Sequence, residues 1–254
     1  MRYALFCDYG LDDAVATVYI LDRRKKGDEV DVIAIGGNSE KNVSHRNACT
    51  LLNKYAELGG DLTGVRLIDT RAWDQPYAKL PSIHGEDGMG DLFAPQETTV
   101  PTLTFDEWLD EGGEAYLCSF GPCTLVVPAL EKIKSNGVLV MGGCVDEEPN
   151  FNGYEFNHAL DKDAFSKTVN GEHFVATLDS CRAVEFNAVI VKPEGSELFN
   201  TLVGASLKYA TARHADRCFI YDYITARFLF ESELFRVEKV IDCDGNELNQ
   251  LKIK

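Results

Sequence analysis

Residues 3–16 read YALFCDYGLDDAVA, and this stretch decides the fold. Residues 3–7 form an uninterrupted apolar run, which predicts a buried β-strand. Asp8, Tyr9 and Gly10 then form a turn. Residues 12–26 place apolar side chains on one side of a helix, and basic residues gather in its last turn, ahead of Gly27. The stretch therefore predicts a strand, a turn and a helix, which together open a βαβ unit.

The same alternation continues along the chain. Further strands are predicted over residues 30–35, 65–68, 116–120, 138–141 and 174–178. Further helices are predicted over residues 39–58, 105–109, 121–134, 161–170, 194–214 and 217–230. Residues 235–254 predict a hairpin with Asp244 and Gly245 at its turn. Because no repeat or linker breaks the pattern, we expect a single α/β domain over residues 1–254, with a mostly parallel central sheet flanked by helices.

Composition narrows the classes of partner. The formal net charge of −16 disfavours nucleic acid, because an acidic chain repels phosphate backbones. No apolar run approaches the ~18 residues of a membrane span, and no secretory signal opens the chain. The eight cysteines are scattered without a C-x-x-C pair, which is typical of reduced, buried thiols and excludes an evident zinc site. We therefore expect a cytoplasmic protein with no membrane partner.

Polar segments follow several of the predicted strands, and a long irregular stretch covers residues 70–101. In parallel sheets, ligands bind beyond the carboxyl ends of the strands. The segments that fall there are residues 8–13, 36–38, 120–122 and 142–157.

The acidic loop admits two interpretations. Asp8, Asp12 and Asp13 lie within six residues, and Ca²⁺ takes six to eight oxygen ligands, mostly carboxylates and carbonyls. In the first interpretation, Asp8 and Asp13 supply such ligands and Asp12 accepts hydrogen bonds from sugar hydroxyls. The plainer alternative is that Asp12 and Asp13 only cap the helix and favour its dipole. The loop alone does not separate these readings.

Five segments together resemble one enzyme family. FCDYGLDDAVA (residues 6–16) is similar to the D-x-D-x-G-x-D-D-A opening of the inosine-uridine-preferring nucleoside hydrolases. The other segments follow in the family's order: GGNSEKNVSHRNA (36–48), HGEDGMG (84–90), MGG with EFNHALDKDA (141–164) and YDYITARF (221–228). The resemblance implies a nucleoside-hydrolase-like fold and calcium-dependent hydrolysis of the N-glycosidic bond of a ribonucleoside or related N-riboside. It also implies a homodimer or homotetramer.

The resemblance assigns roles residue by residue. Asp8 would be the base that activates water and also a calcium ligand. The other calcium ligands would be Asp13, the Phe120 carbonyl and Asp222. Ribose would be held by Asp12, Asn38, Glu155, Asn157, Asp222 and an asparagine near 150–152, here assigned to Asn152. Without the resemblance, Asn38 would simply end a strand, and Asp222 would be an ordinary first-turn helix acid.

Three departures from the family pattern bear on activity. Phe6 replaces the family's first aspartate, and Tyr221 replaces the late histidine that protonates a purine leaving group. Tyrosine is a ready hydrogen-bond donor but a weak acid, so His84 and Tyr221 are the candidates for contact with the leaving group. The C-terminal part is also short, which points to an unusual substrate: a modified base, a larger ligand or a nucleotide. The alternative hypothesis is a catalytically degenerate protein that binds calcium and a ribosyl ligand.

Overall fold

The computed structural model describes residues 1–171, 173–183, 195–215 and 217–254. The strands are β1 (Arg2–Cys7), β2 (Glu29–Ala34), β3 (Val65–Asp69), β4 (Thr102–Thr104), β5 (Glu114–Ser119), β6 (Lys134–Met141), β7 (Phe174–Ala176), β8 (Phe235–Ile241) and β9 (Glu247–Ile253). The α-helices are α1 (Leu11–Arg23), α2 (Lys41–Glu57), α3 (Pro81–His84), α4 (Phe105–Glu111), α5 (Val126–Lys132), α6 (Phe156–Leu160), α7 (Lys162–Val169), α8 (Leu178–Arg182), α9 (Glu197–Ala212) and α10 (Tyr221–Arg227).

These strands form one sheet in the order β4-β3-β2-β1-β5-β6-β7-β9-β8. Each neighbouring pair is parallel except β8 and β9, which pair antiparallel as a hairpin. The hairpin joins the sheet because β9 runs parallel to β7. The predicted α/β fold with a mostly parallel sheet and a C-terminal hairpin is therefore confirmed.

Hydrophobic cores cover both faces of the sheet, as expected for parallel strands. On β1, Leu5 and Cys7 belong to the core that includes buried residues of α1, α2, α9 and α10. Ala4 and Phe6 belong to the opposite core, with α4, α5 and α7. This alternation sends Phe6 away from the acidic loop.

Several predicted boundaries were wrong for local reasons. Ser39 does not cap α2: Glu40 is its N-cap, and the Ser39 hydroxyl donates to the Asp8 carbonyl. The strand predicted over 174–178 ends at Ala176, because Thr177 caps α8. The helix predicted over 121–134 is a 3₁₀ turn (Cys123–Leu125) followed by α5. The helix predicted over 194–214 corresponds to α9, with residue 194 outside the described ranges. The helix predicted over 217–230 is reduced to α10.

The structure also bears on the expectations about membrane spans and about the burial of the cysteines. Among the described residues, no helix combines the length and apolarity needed to cross a bilayer. Seven of the eight cysteines are buried as predicted, but Cys243 is exposed, 3.9 Å from Cys144 between sulfur atoms. Cys243 is exposed because it follows β8, at the start of the hairpin turn.

Candidate active site

The loop between β1 and α1 is fixed by Asp13. Its Oδ1 accepts a hydrogen bond from the Asp8 amide at 3.0 Å, and its Oδ2 accepts one from the Gly10 amide at 2.9 Å. Gly10 is the N-cap of α1 and has no side chain to cap it, so the Asp13 carboxylate does this work. The capping role weighed for Asp13 from sequence is thus real, but each oxygen keeps a second lone pair for another ligand.

Asp8 follows the carboxyl end of β1 and is buried beside Gly37, which follows β2, and Gly121, which follows β5. Its Oδ2 accepts from the Asn38 amide at 2.7 Å and its Oδ1 from Asn38 Nδ2 at 2.9 Å. A Cβ on Gly37 would lie 1.9 Å from Asp8 Oδ2, so only glycine allows this approach. Burial raises the pKa of Asp8 to about 7, which suits a base that must accept a proton near neutral pH.

Three aspartates from both ends of the chain converge beside Asp8. One carboxylate oxygen each from Asp12, Asp13 and Asp222 lies within 4.8 Å of the others. Asp222 reaches the cluster from the first turn of α10, which packs against α1. Burial, followed by the nearby carboxylates, raises the pKa of Asp13 and of Asp222 well above the ordinary range.

This cluster has the chemistry of a site for a hard cation. Asp8, Asp13 and Asp222 form no salt bridge with any lysine, arginine or histidine that the structure describes. Buried carboxylates without a cationic partner are costly unless they are protonated or bind a metal. Phe120 lines the same cavity, and its carbonyl accepts a hydrogen bond from Asn157 Nδ2 at 2.9 Å. Oxygen donors of this kind fit Ca²⁺ better than a soft metal.

Two of the three predicted sugar ligands after β6, Glu155 and Asn157, also stabilise the local backbone. The Glu155 carboxylate caps α6 by accepting from the amides of Asn157 and His158, and it also accepts from Gly143. Burial raises the pKa of Glu155 to about 7. Asn157 uses its Nδ2 on backbone carbonyls, which leaves its Oδ1 for a ligand.

The side-chain oxygen of Asn38 indicates a ligand more directly than Glu155 or Asn157 does. Asn38 Oδ1 is buried and accepts no hydrogen bond from any residue that the structure describes. Its Nδ2 is held by Asp8, so the unpaired oxygen is fixed in place. Buried polar atoms in native proteins almost always have partners, so this oxygen points to a bound hydroxyl, water or amide.

His84 lies at the end of α3, against the N-terminus of α1. Its Nδ1 accepts a hydrogen bond from the Leu11 amide at 3.1 Å, so the proton of the neutral ring is on Nε2. Burial lowers the pKa of His84, and the Arg213 charge lowers it further, against the opposing effect of Asp12. His84 is therefore a neutral donor at neutral pH.

Tyr221 begins α10 and is paired with an arginine. The Arg182 Nε donates to the Tyr221 hydroxyl oxygen at 3.5 Å, and Arg182 Nη1 is anchored on Glu147 at 2.8 Å. Burial raises the pKa of Tyr221, while the Arg182 hydrogen bond and charge oppose the rise. Sequence reasoning missed Arg182, because an isolated arginine at the end of a short helix carries no motif.

One cavity brings most of the predicted residues together. It is lined by Asp8, Asp12, Asp13, Asn38, His84, Phe120, Glu155, Asn157, Tyr221 and Asp222, and in addition by Asn150 and Arg213. Asn152 is not among its lining residues: it lies on an exposed turn with φ 47°. The tight turn at 151–154 displaces it and leaves Asn150 at the cavity. Arg213 was also missed, since no pattern marks it in the sequence.

Comparison with known proteins completes the assignment. The family described as inosine-uridine preferring nucleoside hydrolase matches residues 3–250. The chain belongs to this family. Its members are N-ribosyl hydrolases, so the enzyme class predicted from the sequence is confirmed. A search of curated proteins gives no match.

Solved structures of nucleoside hydrolases share the fold. A purine-preferring ribonucleoside hydrolase from Gardnerella vaginalis aligns over 100% of this chain and 88% of its own, with TM-score 0.72 and 19% identity. The plant nucleoside hydrolase PpNRh1 aligns over 100% of this chain and 86% of its own, with TM-score 0.73 and 20% identity. The inosine-uridine-preferring nucleoside hydrolase of Bacillus anthracis aligns over 100% of this chain and 90% of its own, with TM-score 0.67 and 15% identity. This nucleoside hydrolase thus aligns with 86–90% of the length of these structures.

Proposed function

We propose that this nucleoside hydrolase cleaves the N-glycosidic bond of a ribonucleoside or related N-riboside to ribose and free base, and that it depends on Ca²⁺. The convergence of Asp12, Asp13 and Asp222 beside Asp8 is the single observation that carries this proposal. Asp8, Asp13, Asp222 and the Phe120 carbonyl would hold the ion. When bound, Ca²⁺ would orient a water molecule and lower its pKa.

The residues of the chain supply the rest of the chemistry. Asp8 takes a proton from the attacking water, and the two Asn38 hydrogen bonds orient its carboxylate for this. Asp12, Asn38 and Asn157 bind the ribose hydroxyls, with Glu155 beside them and Asn150 in the place first assigned to Asn152. The surrounding carboxylates stabilise the positive charge that grows on the sugar ring.

A panel of nucleosides tests the reaction. The protein is incubated with each nucleoside in Ca²⁺ or in EDTA, and released reducing sugar is measured. We expect turnover in Ca²⁺, loss of turnover in EDTA and loss in Asp8→Asn, since an amide cannot accept the proton. Nucleoside affinity by calorimetry without any turnover would instead support the degenerate binding protein.

Calorimetry with Ca²⁺ alone tests the ion separately. We expect Asp222→Asn to weaken Ca²⁺ binding at least about tenfold, because a carboxylate oxygen and its charge are lost. The matched control is Asp74→Asn, which changes an exposed loop aspartate away from the cavity. Equal affinity in the wild type and Asp222→Asn would exclude Asp222 as a ligand.

A further inference from the structure

Breaking an N-glycosidic bond places charge at both ends of the bond. The ring carbon becomes positive, and the electron pair leaves with the base nitrogen. The carboxylates of the cavity stabilise the positive charge on the ring carbon. The negative charge on the base nitrogen needs a proton donor or a fixed positive group close to the departing base.

The hydrogen-bond geometry leaves the two candidate donors as neutral groups. His84 Nδ1 is occupied as an acceptor of the Leu11 amide, which leaves only an Nε2–H to donate. The Tyr221 oxygen accepts from Arg182 Nε. A guanidinium has no acceptor, so the phenolic hydrogen cannot be donated to Arg182 and remains for a ligand. Both groups can donate hydrogen bonds, but neither brings a positive charge.

Arg213 brings a positive charge to the cavity. It follows the last turn of α9 and is the only lysine or arginine among the described residues that line the cavity. Its Nη1 is held by the Ser82 carbonyl at 2.8 Å, and it forms no salt bridge with a carboxylate in the described part of the chain. Arg213 is exposed, whereas Asp8, Asp13 and Asp222 are buried, so the cavity is negative at its floor and positive at its mouth.

We propose that Arg213 is a catalytic residue that stabilises the negative charge of the departing base, with the Tyr221 hydroxyl donating a hydrogen bond beside it. This inference rests on the proposed function. The C1′–N bond breaks and its electron pair leaves on the base. Water oxygen bonds to C1′, and Asp8 accepts the water proton and releases it to solvent. The base anion held by Arg213 then takes a proton from solvent, so that one water is consumed per ribose and base formed.

Two substrates with different leaving groups test the role. Inosine has a poor leaving group, whereas p-nitrophenyl riboside releases a phenolate that is stable without help. We expect Arg213→Gln to lower kcat/KM for inosine at least about tenfold and to leave p-nitrophenyl riboside within about twofold. Arg213→Lys should keep part of the inosine activity, because the charge remains. The control is Arg236→Gln on β8, which should change neither substrate.

The outcomes separate this inference from the proposed function. A wild type that cleaves neither p-nitrophenyl riboside nor any nucleoside of the panel overturns the proposed function, and the role of Arg213 falls with it. Turnover of both substrates, with equal losses or no losses in Arg213→Gln, overturns the leaving-group role alone. Thermal unfolding of the variant should match that of the wild type, since Arg213 is exposed, and this shows that a selective loss is not a loss of fold.

Discussion

The position of Asp8 depends on a residue that carries no chemistry itself. Gly37 follows β2, and its backbone lies so close to Asp8 that any side chain would displace the carboxylate. Asn38 then donates two hydrogen bonds to the same carboxylate. The Gly-Gly-Asn sequence is therefore more than a strand end, because it brings the backbone after β2 into contact with the Asp8 carboxylate after β1.

Gly37→Ala should inactivate the enzyme without unfolding it. The new Cβ would lie 1.9 Å from Asp8 Oδ2, so the Asp8 carboxylate must move and lose its hydrogen bonds to Asn38. Misplacement of a catalytic group by about 1 Å costs about a hundredfold in rate. We therefore expect kcat to fall about a hundredfold or more, measured as released reducing sugar under saturating nucleoside.

Gly204→Ala is the matched control for this substitution. Gly204 lies within α9, and a Cβ there would have no neighbour within 4 Å. Alanine is the better helix former, so this variant should gain up to about 1 kcal/mol in free energy of unfolding and keep full activity. Unchanged kcat in Gly37→Ala would mean that the Asp8 position is not critical.

At the scale of elements, a second group of charges holds the other end of the sheet. Asp31 of β2 is completely buried. It accepts from Arg2 Nε at 2.6 Å, from Arg66 Nε at 2.8 Å and from Trp108 Nε1 at 2.8 Å. These partners lie on β1, β3 and α4, so one carboxylate connects three adjacent strands to the helix beneath them.

Asp31→Ala should destabilise the fold and spare the chemistry. The substitution leaves two arginines and an indole N–H without their shared acceptor, and removing one partner of a buried ion pair costs about 3–5 kcal/mol. Arg2 and Arg66 keep some contact with solvent, so we expect a loss near the lower end, about 3 kcal/mol, in urea unfolding. Glu29→Ala, at the exposed start of the same strand, should stay within about 0.5 kcal/mol. A loss below about 1 kcal/mol in Asp31→Ala would contradict this account.

The sequence predicted the sheet well because apolar runs and glycine-rich strand ends are local signals. It did not predict β4, whose three residues are too short and too polar to give a pattern. It placed Asn152 in the site, whereas the turn at 151–154 puts Asn150 there, because one-residue register in an irregular segment depends on tertiary contacts. It gave no sign of Arg213, whose importance comes only from α9 ending at the mouth of the cavity.

At the scale of the whole molecule, the cavity concentrates the negative charge of an already acidic chain. Among the buried carboxyl groups, Asp8 and Glu155 have a pKa of about 7, and burial raises those of Asp13 and Asp222 well above the ordinary range. In the unfolded chain the same groups titrate at about 4. The folded protein without metal therefore holds protons that the unfolded chain has already released.

Thermal stability should consequently respond to pH and Ca²⁺ together. Because these four carboxyl groups hold more protons in the folded state between about pH 4 and about pH 7, their contribution to the free energy of unfolding of the metal-free protein falls as pH rises through this window. The histidines whose pKa is lowered by burial, such as His84, contribute the opposite slope below about pH 6.5, and they do so equally with and without Ca²⁺. A divalent cation replaces the protons and removes the repulsion, so the increase in Tm caused by Ca²⁺ should grow from about pH 5 to about pH 8. Differential scanning calorimetry in EDTA and in saturating Ca²⁺ measures both effects.

Two variants show whether the acidic cluster is the origin of this linkage. Asp222→Asn removes one of the carboxyl groups whose pKa is raised by burial. The metal-free variant should therefore lose less stability than the wild type as pH rises, and Ca²⁺ should raise its Tm less. Asp74→Asn, on the exposed loop, should behave as the wild type. A Ca²⁺-dependent gain in Tm that is the same at every pH would mean that the ion displaces no protons, and therefore that it binds away from these buried aspartates.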